Sequence, residues 1–293
     1  MGRRRFGHIG TKVKDITQSG TENSGVFDIN EVALLVAEEK WKKFNTVPAT
    51  VYMSAGGGGG GGGQGHSGWG YFRGAGGGGG GYITGNGDIF YPGVSYSVTI
   101  GSGGGGQGTG GDTTLAIDGQ TLTCKGGGRG GNSSGNHQGN GTGGGGGNGG
   151  GGGTVFANVR PYDSHGYNGG GATQPSQTVP SGWSSLGNGG GKGNRGSGFS
   201  DGNPPPGAGG SSGSGTIAAL GHDVSRGGGG NSANRGHGGS EGHNQSGGSG
   251  FVYILFPSTY TCTATNLTVT QGTYSGQNYI HIKGGTAGTI VFS

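Results

Sequence analysis

The sequence predicts a mostly irregular and β fold: a polyglycine-II helix bundle with flanking short β-strands, a short N-terminal α-helix and a small C-terminal β segment. Three observations predict it. Of 293 residues 88 are Gly, while the apolar set including Tyr is 26%, so a side-chain core has material only toward the chain ends. The glycines gather in runs that recur from residues 56–63 to residues 227–230. Short stretches between and after the runs alternate apolar and polar residues with the period of a strand.

Residues 1–48 differ in composition from the rest. In "GVFDINEVALLVAEEKWKKF", Asp28 and Glu31 have capping-box spacing. Val32, Leu35, Val36 and Trp41 follow near helical spacing, and Lys40, Lys42 and Lys43 suit the C-terminal end of the dipole. The pattern predicts an amphipathic helix over 29–43, too short to stand alone and so expected to dock on a partner. Pro48 ends it, and "ATVYMSA" leads into the first glycine run as a strand.

Glycine loses more backbone freedom on folding than any other residue, costing roughly 0.5–1 kcal/mol more than Ala in regular structure. A Gly/Ser linker would avoid that cost by staying disordered. Collagen would need Gly at every third position and abundant Pro, which homopolymeric runs and nine prolines do not supply. The remaining form is polyglycine II, with three residues per turn and a rise of ~3.1 Å, so that residues 56–63 would span about 25 Å. Its main-chain groups all point outward, and at roughly 1 kcal/mol net per bond between neighbours they can offset the entropy loss. Linkers have no reason to return this often with structured inserts between, so the packed bundle is the expectation.

Within the central region, Val94, Tyr96, Val98 and Ile100 share one face of a predicted strand. Asp118-Gly119 sits between two β-prone runs as a hairpin turn. After residue 250 the chain predicts four short strands, around Val252–Ile254–Phe256, Leu267–Val269, Tyr279–Ile282 and Ile290–Phe292. This stretch reads as the only one able to build a small β core. The expected divisions are 1–48, 49–256 and 257–293. Cys124 and Cys262 lie in strand-like surroundings and are expected as small buried thiols, with a bridge between them left open.

A net charge of +4 with 10% charged residues is a weak nucleic-acid signal, so no nucleic-acid partner is expected. There is no run of 18 apolar residues and no signal-peptide core after "MGRRRFGHIG", so the expectation is a soluble chain made in the cytoplasm without membrane insertion. His237, Glu241 and His243 have metal-ligand chemistry at a spacing that matches no common zinc pattern. No phosphate-binding loop, nucleophile–base set or carboxylate pair stands out, so neither catalysis nor a cofactor or metal is expected.

The order "AGGGGGGG…YPGVSYSVTIGSGGGG…GGDTTLAIDGQTLTCKGGG…GGSGFVYILFP" resembles the glycine-rich domain of bacteriophage tail proteins over about residues 50–256. "SGVFDINEVALLVAEEKW" is similar to a segment found in many tail-fibre and tail-tip proteins, those of cyanophages among them. The glycine runs also look like those of adhesins at the tips of T-even-type long tail fibres, where polyglycine II helices display loops that recognise the host. This chain has a shorter N-terminal segment than those adhesins.

The resemblance implies a virion protein made in the host cytoplasm, with other tail proteins and a host surface polysaccharide or outer-membrane protein as partners, as a monomer or a trimer. Asp28, Leu35, Trp41 and Phe44 are then the expected virion-docking residues. Aromatic residues on inserts give large contact area with a polar edge. The expected receptor-binding set is Trp69, Tyr71, Phe72 and Arg73 in the first insert, Tyr162, His165 and Tyr167 in the second, and Trp183 in the third. The competing expectations are rings that fold back to seal the bundle, a structural virion part such as a capsid decoration or tail cap, and an ice-binding protein, the last disfavoured by the bulky inserts.

Overall fold

The structure, a computed structural model, describes residues 46–66, 70–72, 74–117, 119–133, 141–153, 167–190, 209–210, 215–217, 222–224 and 244–293. The helix expected at 29–43, with Asp28, Leu35, Trp41 and Phe44, lies outside the described residues. The strands are β1 (Val47–Ser54), β2 (Gln64–His66), β3 (Gly70–Phe72), β4 (Tyr82–Phe90), β5 (Ser95–Thr99), β6 (Thr113–Ile117), β7 (Gln120–Cys124), β8 (Ser184–Leu186), β9 (Gly215–Ile217), β10 (His222–Val224), β11 (Phe251–Pro257), β12 (Cys262–Thr265), β13 (Thr268–Tyr274), β14 (Gln277–Gly284) and β15 (Gly288–Phe292). Among the described residues there is a 3-10 turn at Gln174–Ser176 and no α-helix. The fold is mostly β.

Two antiparallel sheets face each other. One has the order β13-β14-β11-β1-β4-β8 and the other β12-β15-β5-β6-β7. Alternation decides which side of each strand is buried: Val47, Ala49, Val51 and Met53 of β1 and Thr113, Leu115 and Ile117 of β6 all turn inward. The apolar ones join Ile83, Val98, Leu122, Ile254, Ile280 and Ile290 in one core. Rings bind the two sheets together, Phe90 of β4 stacking on Phe292 of β15 at 4.7 Å and Phe256 of β11 meeting the same ring edge-on at 5.1 Å. Each such side chain contributes about 1.5–3 kcal/mol on burial.

This arrangement corrects the reading of the C-terminal stretch. The C-terminal stretch builds no core alone, because β11 pairs with β1 and β15 pairs with β5. It contains five strands, the unexpected one being β12, whose "CTAT" has too little apolar alternation to show. Residues Val47–Ser293 form one compact unit, and the division expected after residue 256 falls within β11. The hairpin read at Asp118-Gly119 is present, with Ile117 opposite Gln120 and Gly119 at φ +70°. Tyr96, Val98 and Ile100 are buried on one face as expected, whereas Val94 precedes β5 and is exposed.

β1, β5 and β7 run out into glycine segments, and β4, β6 and β11 return from them, all along one edge of the sandwich. Ser54 opposes both Tyr82 and Phe251, and Thr113 opposes Cys124. Beyond that edge the glycine segments belong to no strand, yet they are buried and bonded to one another. Gly56 and Gly59 donate to Gly111 and Gly108 (3.1 and 2.7 Å), Gly57 and Gly60 to Gly248 and Gln245 (2.9 and 2.8 Å), and Gly58 and Gly61 to Gly78 and Ala75 (2.8 Å each). Every third residue therefore meets the same neighbour, and these neighbours run antiparallel.

The carbonyls of Gly56, Gly59 and Gly62 accept from Gly127, Gly130 and Ser133, a parallel neighbour with the same period. A Cβ on Gly58 would overlap the Gly128 carbonyl, and one on Gly59 the Gly105 carbonyl. Such approach of main chain to main chain needs residues without side chains. Among the described residues the glycines at positive φ are Gly93, Gly119, Gly182, Gly276 and Gly285, and none of these belongs to the array.

Candidate functional site: the far end of the glycine array

The array has two ends. The near end is plugged into the sandwich by buried amide and hydroxyl groups where strand pairing stops. Gln174, fully buried, accepts from Lys125 N at 2.6 Å through Oε1 and donates to Thr123 O and Ser185 Oγ through Nε2. Asp112 accepts from Gly126 N at 2.8 Å and pairs with Lys125 Nζ at 2.9 Å across a half-exposed surface. Asn148 sits inside the array, donating to Gly80 O at 2.7 Å and accepting from Asn188 N at 2.7 Å. These side chains replace main-chain groups that a neighbouring glycine would otherwise supply.

The far end closes with a second amide set. Gln107 turns the chain at φ 63°, and Asn244 returns it at φ 53°. Gln107 Nε2 donates to Asn244 Oδ1 at 2.9 Å, Asn132 Nδ2 donates to Gln107 Oε1 at 2.8 Å, and Asn132 Oδ1 accepts from Gly62 N at 2.8 Å. The main-chain donor of Gly62 is thereby satisfied near the surface. Around this cluster the chain leaves the array at 63, 133 and 153 and comes back at 74, 141 and 167, since Ser133 N bonds Gly62 O and Gly153 N bonds Gly141 O. β2 and β3 pair here as a hairpin, Gln64 opposite Phe72 and Gly65 opposite Tyr71.

The expected receptor-binding residues divide. Tyr71 and Phe72 lie on β3 at this end. Trp69, Arg73, Tyr162 and His165 lie outside the described residues. Tyr167 is half-buried with its ring where a Cβ of Gly141 would stand, and its enclosed hydroxyl has no hydrogen-bond partner among the described residues. Trp183 is a correction: only 9% exposed, it belongs to the sandwich core and fills the space over Gly85 of β4. It completes a strand where a glycine leaves a gap, and its place is beside the near end.

Sequence reasoning passed over Gln107, Asn132, Asn148, Gln174 and Asn244. Gln107, Asn132 and Asn148 carry a weak signal, single amides interrupting or ending glycine runs where a side chain is needed to finish a main-chain bond, while Gln174 and Asn244 stand outside such runs and carry none. The two thiols are free and buried. Burial pushes Cys262 up from 9.0 to about 12 and Cys124 well above 9.0, and Cys124 Sγ donates to Met53 O at 3.3 Å. No group of three His, Cys, Asp or Glu among the described residues could hold a metal ion. No described helix is long and apolar enough to cross a membrane. Comparisons with family models, curated proteins and solved structures find no match.

Proposed function

We propose that the chain is a bacteriophage virion tail protein, an adhesin of the tail fibre or tail tip, which binds a host surface polysaccharide or outer-membrane protein through loops at the far end of a polyglycine II bundle. The observation that carries this reading is the period of three in the donors of residues 56–61, which return to the same three neighbours in turn. A helix of three residues per turn without internal hydrogen bonds produces that pattern. The described chain enters the sandwich at Val47, opposite Phe90, at the end of β1 away from the array. A solid scaffold that holds loops is the usual setting for binding residues.

The enclosed Tyr167 and the closed amide cluster favour a second reading in part, a tail or capsid component in which the bundle only spaces and seals. The two separate on particles carrying Trp69→Ala with Tyr71→Ala. An adhesin yields normal particle numbers and at least a tenfold drop in adsorption rate. Unchanged adsorption with normal particles overturns the adhesin reading.

A further inference from the structure

The four edges of the two large sheets are not alike. β8 has three residues and β12 has four. β12 is also satisfied from outside, since Gln271 Nε2 donates to Cys262 O at 3.0 Å. β7 is covered by Gln174, which takes Thr123 O and Lys125 N. β13 is the exception. It runs seven residues, TVTQGTY, with no charge and no proline, and only Val269 and Gly272 are less than exposed. Proteins normally blunt a long edge with charge, proline or a covering segment, because its unpaired main-chain groups recruit another strand.

We propose that β13 is a docking edge for β13 of a second copy of this chain, paired antiparallel about a two-fold axis near Gln271. That register sets Thr270 opposite the partner's Gly272, Val269 opposite the partner's Thr273 and Tyr274 opposite the partner's Thr268. The exposed Tyr274 ring, 39% accessible, then covers threonine methyls, a favourable cross-strand pairing. A hollow of about 310 Å³ bounded by Phe256, Gln271, Thr273 and Tyr279 lies beside the edge and gives room for the second copy's side chains. Self-pairing is favoured over a foreign strand because an uncharged strand offers no electrostatic selection for one. It also makes an even assembly and excludes a trimer built on this edge.

The test is sedimentation velocity of the full chain against concentration, with Thr270→Lys, Thr270→Glu and Thr270→Ser. The expected result is a monomer–dimer equilibrium for the unaltered chain and Thr270→Ser, loss of dimer in each charged variant alone, and its return on mixing the two. Amide exchange across 268–274 in the unaltered chain should slow at least tenfold as dimer forms. A monomer or trimer at all concentrations, a Thr270→Lys chain that dimerises normally, or exchange in β13 indifferent to concentration overturns the proposal. None of these outcomes bears on adsorption.

Discussion

Gly58→Ala and Gly105→Ala insert the same methyl into the same kind of segment, and the structure sets them far apart. At Gly58 the Cβ would overlap the carbonyls of Gly128 and Gly127, whereas at Gly105 nothing lies within 4 Å. To admit the methyl, the central segment must move away from residues 127–128, lengthening the bond from Gly58 N to Gly78 O and the one Gly127 N makes to Gly56 O, both 2.8 Å. Two buried main-chain hydrogen bonds disrupted at roughly 1–3 kcal/mol each give a cost of about 2–6 kcal/mol. For a chain of this size that is a fall in Tm of roughly 5–20 °C. Gly105→Ala at an exposed turn should cost almost nothing or stabilise by about 0.5 kcal/mol through the unfolded state. Differential scanning calorimetry of both variants reads the contrast. Equal melting temperatures within a degree or two would refute the close-packed array.

Asn148→Ala removes two hydrogen bonds, the one to Gly80 O and the one from Asn188 N, and chemical denaturation should show a loss of about 1–3 kcal/mol. Trp183→Ala should cost about 3–5 kcal/mol. Gly85→Ala, which collides with the ring in the parent chain, should cost much less in that background, so a double-mutant cycle reads strong coupling. Stability should fall on the alkaline side. The unfolded thiols ionise near 9.0 while burial holds Cys262 to about 12 and Cys124 well above 9.0, so above pH 9 the unfolded state binds fewer protons. Between pH 9 and 10 the loss is about 1 kcal/mol per thiol, removed one at a time by Cys262→Ala and Cys124→Ala. If the docking assignment holds, removal of residues 1–44 leaves a folded chain that fails to enter particles.

How much of this was readable follows from what side chains encode. β5, β6 and β7 announced themselves because Tyr96, Val98, Leu115 and Leu122 alternate with polar residues and a turn glycine separates two of the strands. β4 was obscured by Gly85 and Gly87, and the residue that repairs it, Trp183, arrives from a segment about a hundred positions later. An exposed ring and a core ring look the same in "SGWSSLGN". The sandwich was missed as a whole because its pairings, β1 with β11 and β5 with β15, join opposite ends of the chain. Within the array, glycines carry no pattern to set register, so only the amides mark where segments begin and end, and Gln107, Asn132 and Asn244 resemble ordinary loop residues until their partners are seen.

The central claim is that main-chain groups of the glycine segments satisfy one another and make the middle of the chain as solid as its strands. Residue-resolved amide exchange of the purified protein tests it directly. The account predicts that Gly57, Gly58, Gly60, Gly78 and Gly128, each bonded at 2.8 or 2.9 Å, exchange as slowly as Val51 and Ile254 in the core strands. Exchange of these glycines at the rate of an unstructured peptide, with the strands still protected, would contradict it.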